Sequence, residues 1–364
     1  MYPAIEQRPL ALVIIEPAIL VTMAILCSTG NLLICISIYR NPTLRTTTNV
    51  YVFALAVSDL LNSIVVMSLA VGVLITGKWP YGEIMCNLHA FFTLFSVYVS
   101  PTTMGLAAVN RYIRIVKSSH YSYIFTPFLS KLYVGAVWMF VAGYVAIPRM
   151  AGWTAYGFIP GYAVCTIIHP TEAAKITHYC IVVLLFLVLP FTLAIFCYYN
   201  VFETIKQHNM NVITSFQRVG QDGHLSIREI KITKSLAVVV LAFGLCWIPF
   251  WIIAMTQRFT ASVVPRNVQL VCTFLLFFSS TVNPFIYAGT NEAFKVEFRR
   301  VLHCRQHRID DRVQMQDSKN GYPVRVKVRE TSTLNFISSW SNKIYTKGKE
   351  PKEKKMPYSW YLEK

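Results

Sequence analysis

Seven apolar segments, at 11–39, 48–77, 85–115, 131–151, 176–203, 230–256 and 268–289, dominate this chain of 364 residues. Each is near or above the roughly 20 residues that an α-helix needs to cross the hydrocarbon core of a bilayer, allowing for tilt. A helix also satisfies its own backbone N–H and C=O groups where no water can reach them. Composition agrees: 54% of residues are hydrophobic and only 14% charged, where a soluble chain carries about a quarter. Mean hydropathy is +0.46. The fold class expected is all-α, a seven-transmembrane helix bundle.

The net charge of +17 does not point to nucleic acid, because of where the cations lie. Loops after the first, third and fifth segments carry Arg45, then Arg114, Lys117 and Lys131, then Lys206, Arg218, Arg228 and Lys231. The opposite loops carry few, such as Lys78 and Lys175. Cytoplasmic loops hold the excess of Lys and Arg, so the N-terminus is expected outside and the C-terminus inside. The first apolar stretch begins near Leu10 without a basic leader, so no cleavable signal is expected. The organisation read from this is a short extracellular N-terminus at 1–10, a membrane domain at 11–303, and a basic, mostly disordered cytoplasmic tail at 304–364.

Polar residues inside the spans are the candidate functional groups, since each is costly there. Asp59 stands in mid-span. With Asn31, Ser100, Ser279, Ser280 and Asn283 at similar depth it could form a hydrated cluster holding a sodium ion through oxygen ligands. The plainer reading is a buried acid satisfied by a neighbouring hydroxyl. In "FGLCWIPFW", Pro249 kinks the sixth span beside Trp247, either as a packing bend or as a hinge beneath a pocket. "SSTVNPFIYAG" repeats the device in the seventh, with Asn283, Pro284 and Tyr287. "NEAFKVEFRR" then reads as an amphipathic helix on the inner membrane surface. Cys304 directly after it is either palmitoylated or a free thiol. Cys86 and Cys165 both face the oxidising side, where a disulfide is expected. No metal-ligand spacing, Gly-rich phosphate loop or nucleophile elbow occurs, so enzyme chemistry has no support.

The order and spacing of Asn31, Asp59, Cys86, Arg111, Trp138, Cys165, Pro190, Tyr198, "CWIP" and "NPFIY" resemble the rhodopsin-like (class A) G protein-coupled receptors, over roughly residues 10–303. The resemblance implies a plasma-membrane receptor in which an extracellular ligand shifts the sixth helix. Arg111, flanked by Asn110 and Tyr112, would then form the inner heterotrimeric G-protein site with Tyr198 and Tyr287. In that family the arginine usually follows an acid. Asn110 replaces it here, so no carboxylate neighbour restrains Arg111, and Glu229 is the expected partner of an inactive-state latch. Within the family, "NRY", "FCY", "CWIP", "VVPR" and "FRR" resemble the melatonin receptors, which suggests inhibitory G proteins and a melatonin-like indole. Three departures set the chain apart: Pro284 follows Asn283 in the seventh span, where melatonin receptors typically have alanine, while Pro148 and Phe186 stand where that subfamily places a ligand-binding Asn and a His.

The same resemblance constrains the ligand by charge. Aminergic receptors pair an ammonium with an aspartate in the third span, and Thr93 stands at that position. Opsins bind retinal through a lysine in the last span. Phe277 stands there and no lysine occurs from Ser235 to Phe294, so retinal is not expected as a cofactor. The implied pocket comprises Thr93, Leu94, Val97, Ile167, Tyr179, Val183, Trp247, Phe250, Trp251, Thr273 and Phe277, with Gln269, His89 and His178 as polar handles. Such a lining suits a small, neutral, aromatic or lipid-like molecule. Hydroxyls in "RETSTLNFISSWS" are candidate sites for receptor kinases and arrestin. The competing readings are a peptide or lipid receptor, a constitutively active receptor, and a transporter, for which no internal repeat is seen.

Overall fold

The computed structural model describes residues 8–214, 227–259 and 264–303, with side chains described at 8–207, 230–257, 259 and 264–303. Among the described residues, seven helices are long and apolar enough to cross a membrane. They are α1 (Leu10–Arg40), α2 (Asn49–Thr76), α3 (Gly82–Ile115), α4 (Pro127–Met150), α5 (Glu172–Gln207), α6 (Ile227–Phe259) and α7 (Arg266–Thr290). The surface helix α8 follows at Glu292–Leu302. The side chain of Glu229, Cys304 and the tail at 304–364 lie outside the described residues.

Local sequence sets the helix ends. Thr126 precedes α4 with Pro127 at its first position, and the Thr126 hydroxyl accepts from Leu129 N–H at 3.1 Å. That proline lacks only a donor the first turn leaves orphaned anyway. Thr171 caps α5 the same way through Ala174 N–H. Gly77 closes α2 at φ +75°, a left-handed conformation that favours glycine. Two spans contain wide π-helical turns, Asn62–Met67 in α2 and Val183–Val188 in α5. Such turns shift the phase of every side chain beyond them.

Packing follows burial. Along α3 the buried set runs from Cys86 to Ile115 and includes Ala90, Leu94, Tyr98, Val99, Asn110 and Arg111. Outer helices instead expose large apolar side chains, among them Met139 of α4 at 74% and Leu245 of α6 at 75%. A water-soluble protein would not present so much contiguous apolar surface, whereas hydrocarbon accepts it. Helix α1 lies close to α7 because Gly30 has no side chain: a Cβ there would stand 2.7 Å from Pro284 Cγ.

Two departures from an all-helical reading are local. The loop before α5 forms an antiparallel hairpin, β1 (Ala155–Ile159) and β2 (Val164–Ile168), with Phe158 opposite Cys165. A disulfide joins Cys86 to Cys165 and fastens this hairpin to the outer end of α3. Helix α8 is amphipathic as expected, with Phe294 and Phe298 buried and Tyr287 5.6 Å from the Phe294 ring. Glu297 of α8 is also buried and accepts from Asn41 Nδ2 at 3.1 Å, docking α8 on the end of α1.

Candidate functional site

A cavity of about 110 Å³ lies between the hairpin and α3, α5, α6 and α7. That is the order of a single aromatic ring. Of the sequence-expected pocket residues, Thr93, Leu94, Val97, Ile167, Tyr179, Trp247, Phe250, Trp251, Thr273 and Phe277 line it, as does His178. Val183 and Gln269 do not. Val183 begins the wide turn of α5 and packs on the central core. Gln269 is buried beneath the hairpin loop and donates to Val264 O at 2.8 Å. No Asp, Glu, Lys or Arg stands among the described residues lining the cavity.

Histidine positions differ in role. His89 is fully buried, with Nε2 at 3.2 Å from Val66 O and Nδ1 accepting from Cys165 N–H at 3.3 Å. Those partners require the proton on Nε2. The ring therefore braces α2, α3 and the hairpin beside the disulfide. His178 faces the cavity, its ring nitrogens 3.4 Å from Tyr98 Oη and 3.2 Å from Tyr144 Oη. Neither tyrosine was singled out from sequence, because the three lie on different helices. Tyr156, on the hairpin, donates to Val145 O at 2.7 Å, and burial pushes its phenol up to about 12 despite the nearby Arg149 cation.

An ionic clasp closes the outer end. Glu16 of α1 accepts from Arg8 Nη1 at 2.7 Å and from Arg266 of α7 at 2.7 and 2.6 Å. Arg8 also donates to Leu74 O of α2 at 2.5 Å. The side chains of Arg8, Glu16 and Arg266 are all close to buried, at 6%, 9% and 11% exposure. Sequence inspection missed the clasp: an acid near a helix end reads as a flank, and its partner is 250 residues away.

Below the cavity the expected polar cluster assembles. Asn283 Nδ2 donates to Asp59 Oδ2 at 2.8 Å, Asn62 Nδ2 to Ser280 Oγ at 3.3 Å, and Asn31 Nδ2 to Ser280 O at 3.1 Å. Asp59 is 2% exposed. The cavity lining extends down to Ser100, Ser279 and Ser280. Trp247 Nε1 donates to Ser279 Oγ at 3.1 Å, joining α6 to α7. Carboxylate, hydroxyl and amide oxygens make a donor set suited to a hard cation.

At the inner end Asn110 is fully buried, and its carbonyl accepts from Arg111 Nη2 at 3.2 Å and Thr48 Oγ1 at 3.1 Å. Its amide donates to Tyr121 Oη at 3.2 Å. Arg111 thus has a neutral oxygen of its own helix among its contacts. Tyr112 is half-buried with its ring 5.8 Å from Phe196. Tyr198 and Tyr287 are buried, and their hydroxyls have no hydrogen-bond partner among the described residues. The Arg111–Glu229 pairing falls on a side chain outside the described residues.

The family model described as 7 transmembrane receptor (rhodopsin family) matches residues 30–287. The melatonin receptor type 1A of Ovis aries is 26% identical over 302 residues, covering 82% of this chain and 80% of that receptor. The 5-hydroxytryptamine receptor 4 of Homo sapiens is 28% identical over 314 residues, 79% of each chain. The octopamine receptor beta-1R of Drosophila melanogaster is 26% identical, covering 80% of this chain and 62% of that receptor. The crystal structure of squid rhodopsin superposes with a TM-score of 0.72 at 20% identity, over 87% of this chain and 94% of that one, a likeness of fold. With seven spans and a family match over more than half of its length, the chain belongs to the rhodopsin family of seven-transmembrane receptors.

Proposed function

We propose that this receptor binds a small, neutral, largely apolar or aromatic extracellular ligand and passes the signal through α6 to a heterotrimeric G protein of the inhibitory class. The observation that carries this reading is the cavity: aromatic, without an ionised Asp, Glu, Lys or Arg among its described lining, and floored by Trp247. An ammonium placed beside Thr93 would be buried unpaired, at a cost of several kcal/mol. A ligand pressing on Trp247 breaks its bond to Ser279 and frees α6 to swing about Pro249. The inner ends of α3 and α6 then part around Arg111. Tyr198 and Tyr287, whose hydroxyls have no partner among the described residues, then gain one.

Asn110, Tyr112, Asn283 and Pro284 belong to the same switch, with Glu229 as the closed-state partner of Arg111. At a wet membrane boundary that pair contributes ~1 kcal/mol. Asp59, Ser100 and Ser280, beside Ser279 and Asn283, would hold a sodium ion, which supplies positive charge to the buried carboxylate. Retinal has no lysine to hold it, since Phe277 occupies the attachment position. Kinases and arrestin act on the tail, where Cys304 is a palmitoylation candidate, with the N-terminus outside and the tail in the cytoplasm at the plasma membrane.

The relatives named for melatonin favour an indole as the first ligand class to try. The test follows cyclic AMP under forskolin in cells expressing wild type or Arg111→Ala at equal surface level, across melatonin, related indoles and neutral lipids. A fall in wild type that is absent in the variant supports the reading. Equal responses in both contradict it. A second reading, activity without ligand, is favoured by Asn110 in place of an acid. It requires basal signalling in wild type above the Arg111→Ala level.

A further inference from the structure

At the end of the bundle that carries Arg111, two cavities adjoin. One is an apolar groove of about 530 Å³ between α1, α2 and α4, walled by Phe53, Val57, Val134 and Trp138. The other, of about 310 Å³, is lined by Arg45, Thr46, Thr47, Arg111, Arg114 and Tyr121. Arg45 and Thr46 belong to both linings, so the two spaces meet along one edge. Lys131, near the start of α4, lines the groove as well.

Their chemistry is opposite. The groove is walled by apolar side chains of membrane-crossing helices, and Phe53 in it is 41% exposed, so this surface meets lipid tails. The second cavity carries three guanidinium groups, with no Asp or Glu among the described residues lining it. Arg45, Arg114 and Lys131 are exposed and within reach of an outside molecule. Arg45 donates to the Ile38 and Tyr39 carbonyls that end α1, and Arg114 lies over the Tyr121 ring at 4.6 Å. A carbonyl or a ring orients a cation without neutralising it.

An occupant of both spaces is an amphiphile with an anionic head. Basic pockets between spans on the cytoplasmic side hold phosphorylated lipid headgroups. Each monoester phosphate carries about −1.5 to −2 charge, and guanidinium groups bind phosphate through paired N–H donors. A sterol would fill the groove but bring no anion to the arginines. A free phosphate would meet the arginines and leave the groove empty.

We propose that the groove and cavity together bind one phosphoinositide of the inner leaflet. Its acyl chain lies against Phe53, Val57 and Val134, and its phosphates meet Arg45, Arg114 and the Thr47 hydroxyl, with Lys131 at the phosphodiester. This site is separate from the cavity floored by Trp247. It rests on the orientation proposed above, which puts this end in the cytoplasm.

The experiment titrates the purified full-length receptor in detergent with four probes: short-chain phosphatidylinositol bisphosphate, short-chain phosphatidylserine, soluble inositol trisphosphate and cholesterol hemisuccinate. Thermal shifts over a concentration series give an apparent Kd for each. The bisphosphate lipid should bind about tenfold tighter than phosphatidylserine, and tighter than inositol trisphosphate, which lacks the chains. In the double variant Arg114→Gln, Lys131→Gln, the advantage over phosphatidylserine should fall to about twofold or less. Equal binding of the two phospholipids to wild type overturns the headgroup site. Inositol trisphosphate binding as tightly as the lipid overturns the role of the groove. Stabilisation by the sterol with none by the bisphosphate lipid assigns the groove to a sterol and overturns the proposal. An undiminished advantage in the double variant places the lipid elsewhere and overturns it too. The wild-type series needs no variant, so it decides even where the double variant does not accumulate. Binding in detergent is read without reference to orientation, so its failure is distinct from failure of the orientation or of signalling through Arg111.

Discussion

The outer and inner halves of this bundle are held together by different chemistry. Outside, the ties are strong and independent of any ligand: the Cys86–Cys165 bond, the buried Glu16 clasp to Arg8 and Arg266, and His89 braced between Val66 and Cys165. Inside, the neutral carbonyl of Asn110 accepts from both Arg111 and Thr48, one of the contacts that Arg111 makes. Losing one partner of a buried ion pair costs about 3–5 kcal/mol. A neutral hydrogen bond contributes about 1 kcal/mol. The difference teaches where movement is cheap. On the proposed function, the mouth of the cavity is the fixed frame and the Asn110 contact is a weaker tie at the inner end.

The comparison can be broken at its strongest point first. Glu16→Ala leaves two guanidinium groups close to buried without their carboxylate, and stability should fall by about 3 kcal/mol or more. Thermal unfolding of the purified receptor checks this, and a loss below about 1 kcal/mol would remove the clasp from the frame. Replacing Cys86 and Cys165 together with serine should cost about 2–4 kcal/mol, since the bond closes a loop of 79 residues. Here the reading is the fraction of receptor reaching the cell surface, with inner-end signalling per surface receptor unchanged.

The inner predictions are smaller in energy and larger in output. Asn110→Ala removes the acceptor of Arg111 and Thr48, so the closed state should weaken by about 1–2 kcal/mol. Basal G-protein activation per surface receptor should then rise, while the unfolding temperature stays near wild type. A large drop in unfolding temperature without a rise in signalling would mean that Asn110 is structural. Glu229→Ala is the weakest case, with an expected gain in basal activity of about fivefold at most. No gain at equal expression would remove Glu229 from the restraints on Arg111.

How much of this was legible in the sequence differs by kind of contact. The seven spans were, because the bilayer imposes a length that a run of apolar residues displays directly. The Asp59 cluster and the Cys86–Cys165 bond were too, since few polar groups or outward cysteines compete for those roles. Side-chain direction was less so. Val183 was expected at the cavity, but it opens the wide turn of α5, where 3.6-residue periodicity no longer tells which face a residue takes. Gln269 is drawn away by the Val264 carbonyl beneath the hairpin loop. Other long-range polar partners were not legible. Tyr98 and Tyr144 meet at His178, and Glu16 meets Arg266, across separations that leave no local pattern.

The central claim is that Arg111 is the inner switch governed by the outer cavity. Guanine-nucleotide exchange on a purified inhibitory heterotrimer, driven by receptor in nanodiscs, tests it most directly. Wild type should accelerate exchange, more so with a cavity ligand bound, and Arg111→Ala should abolish both the basal and the ligand-driven rates while unfolding at a similar temperature. Exchange that is the same with wild type and Arg111→Ala would contradict the account.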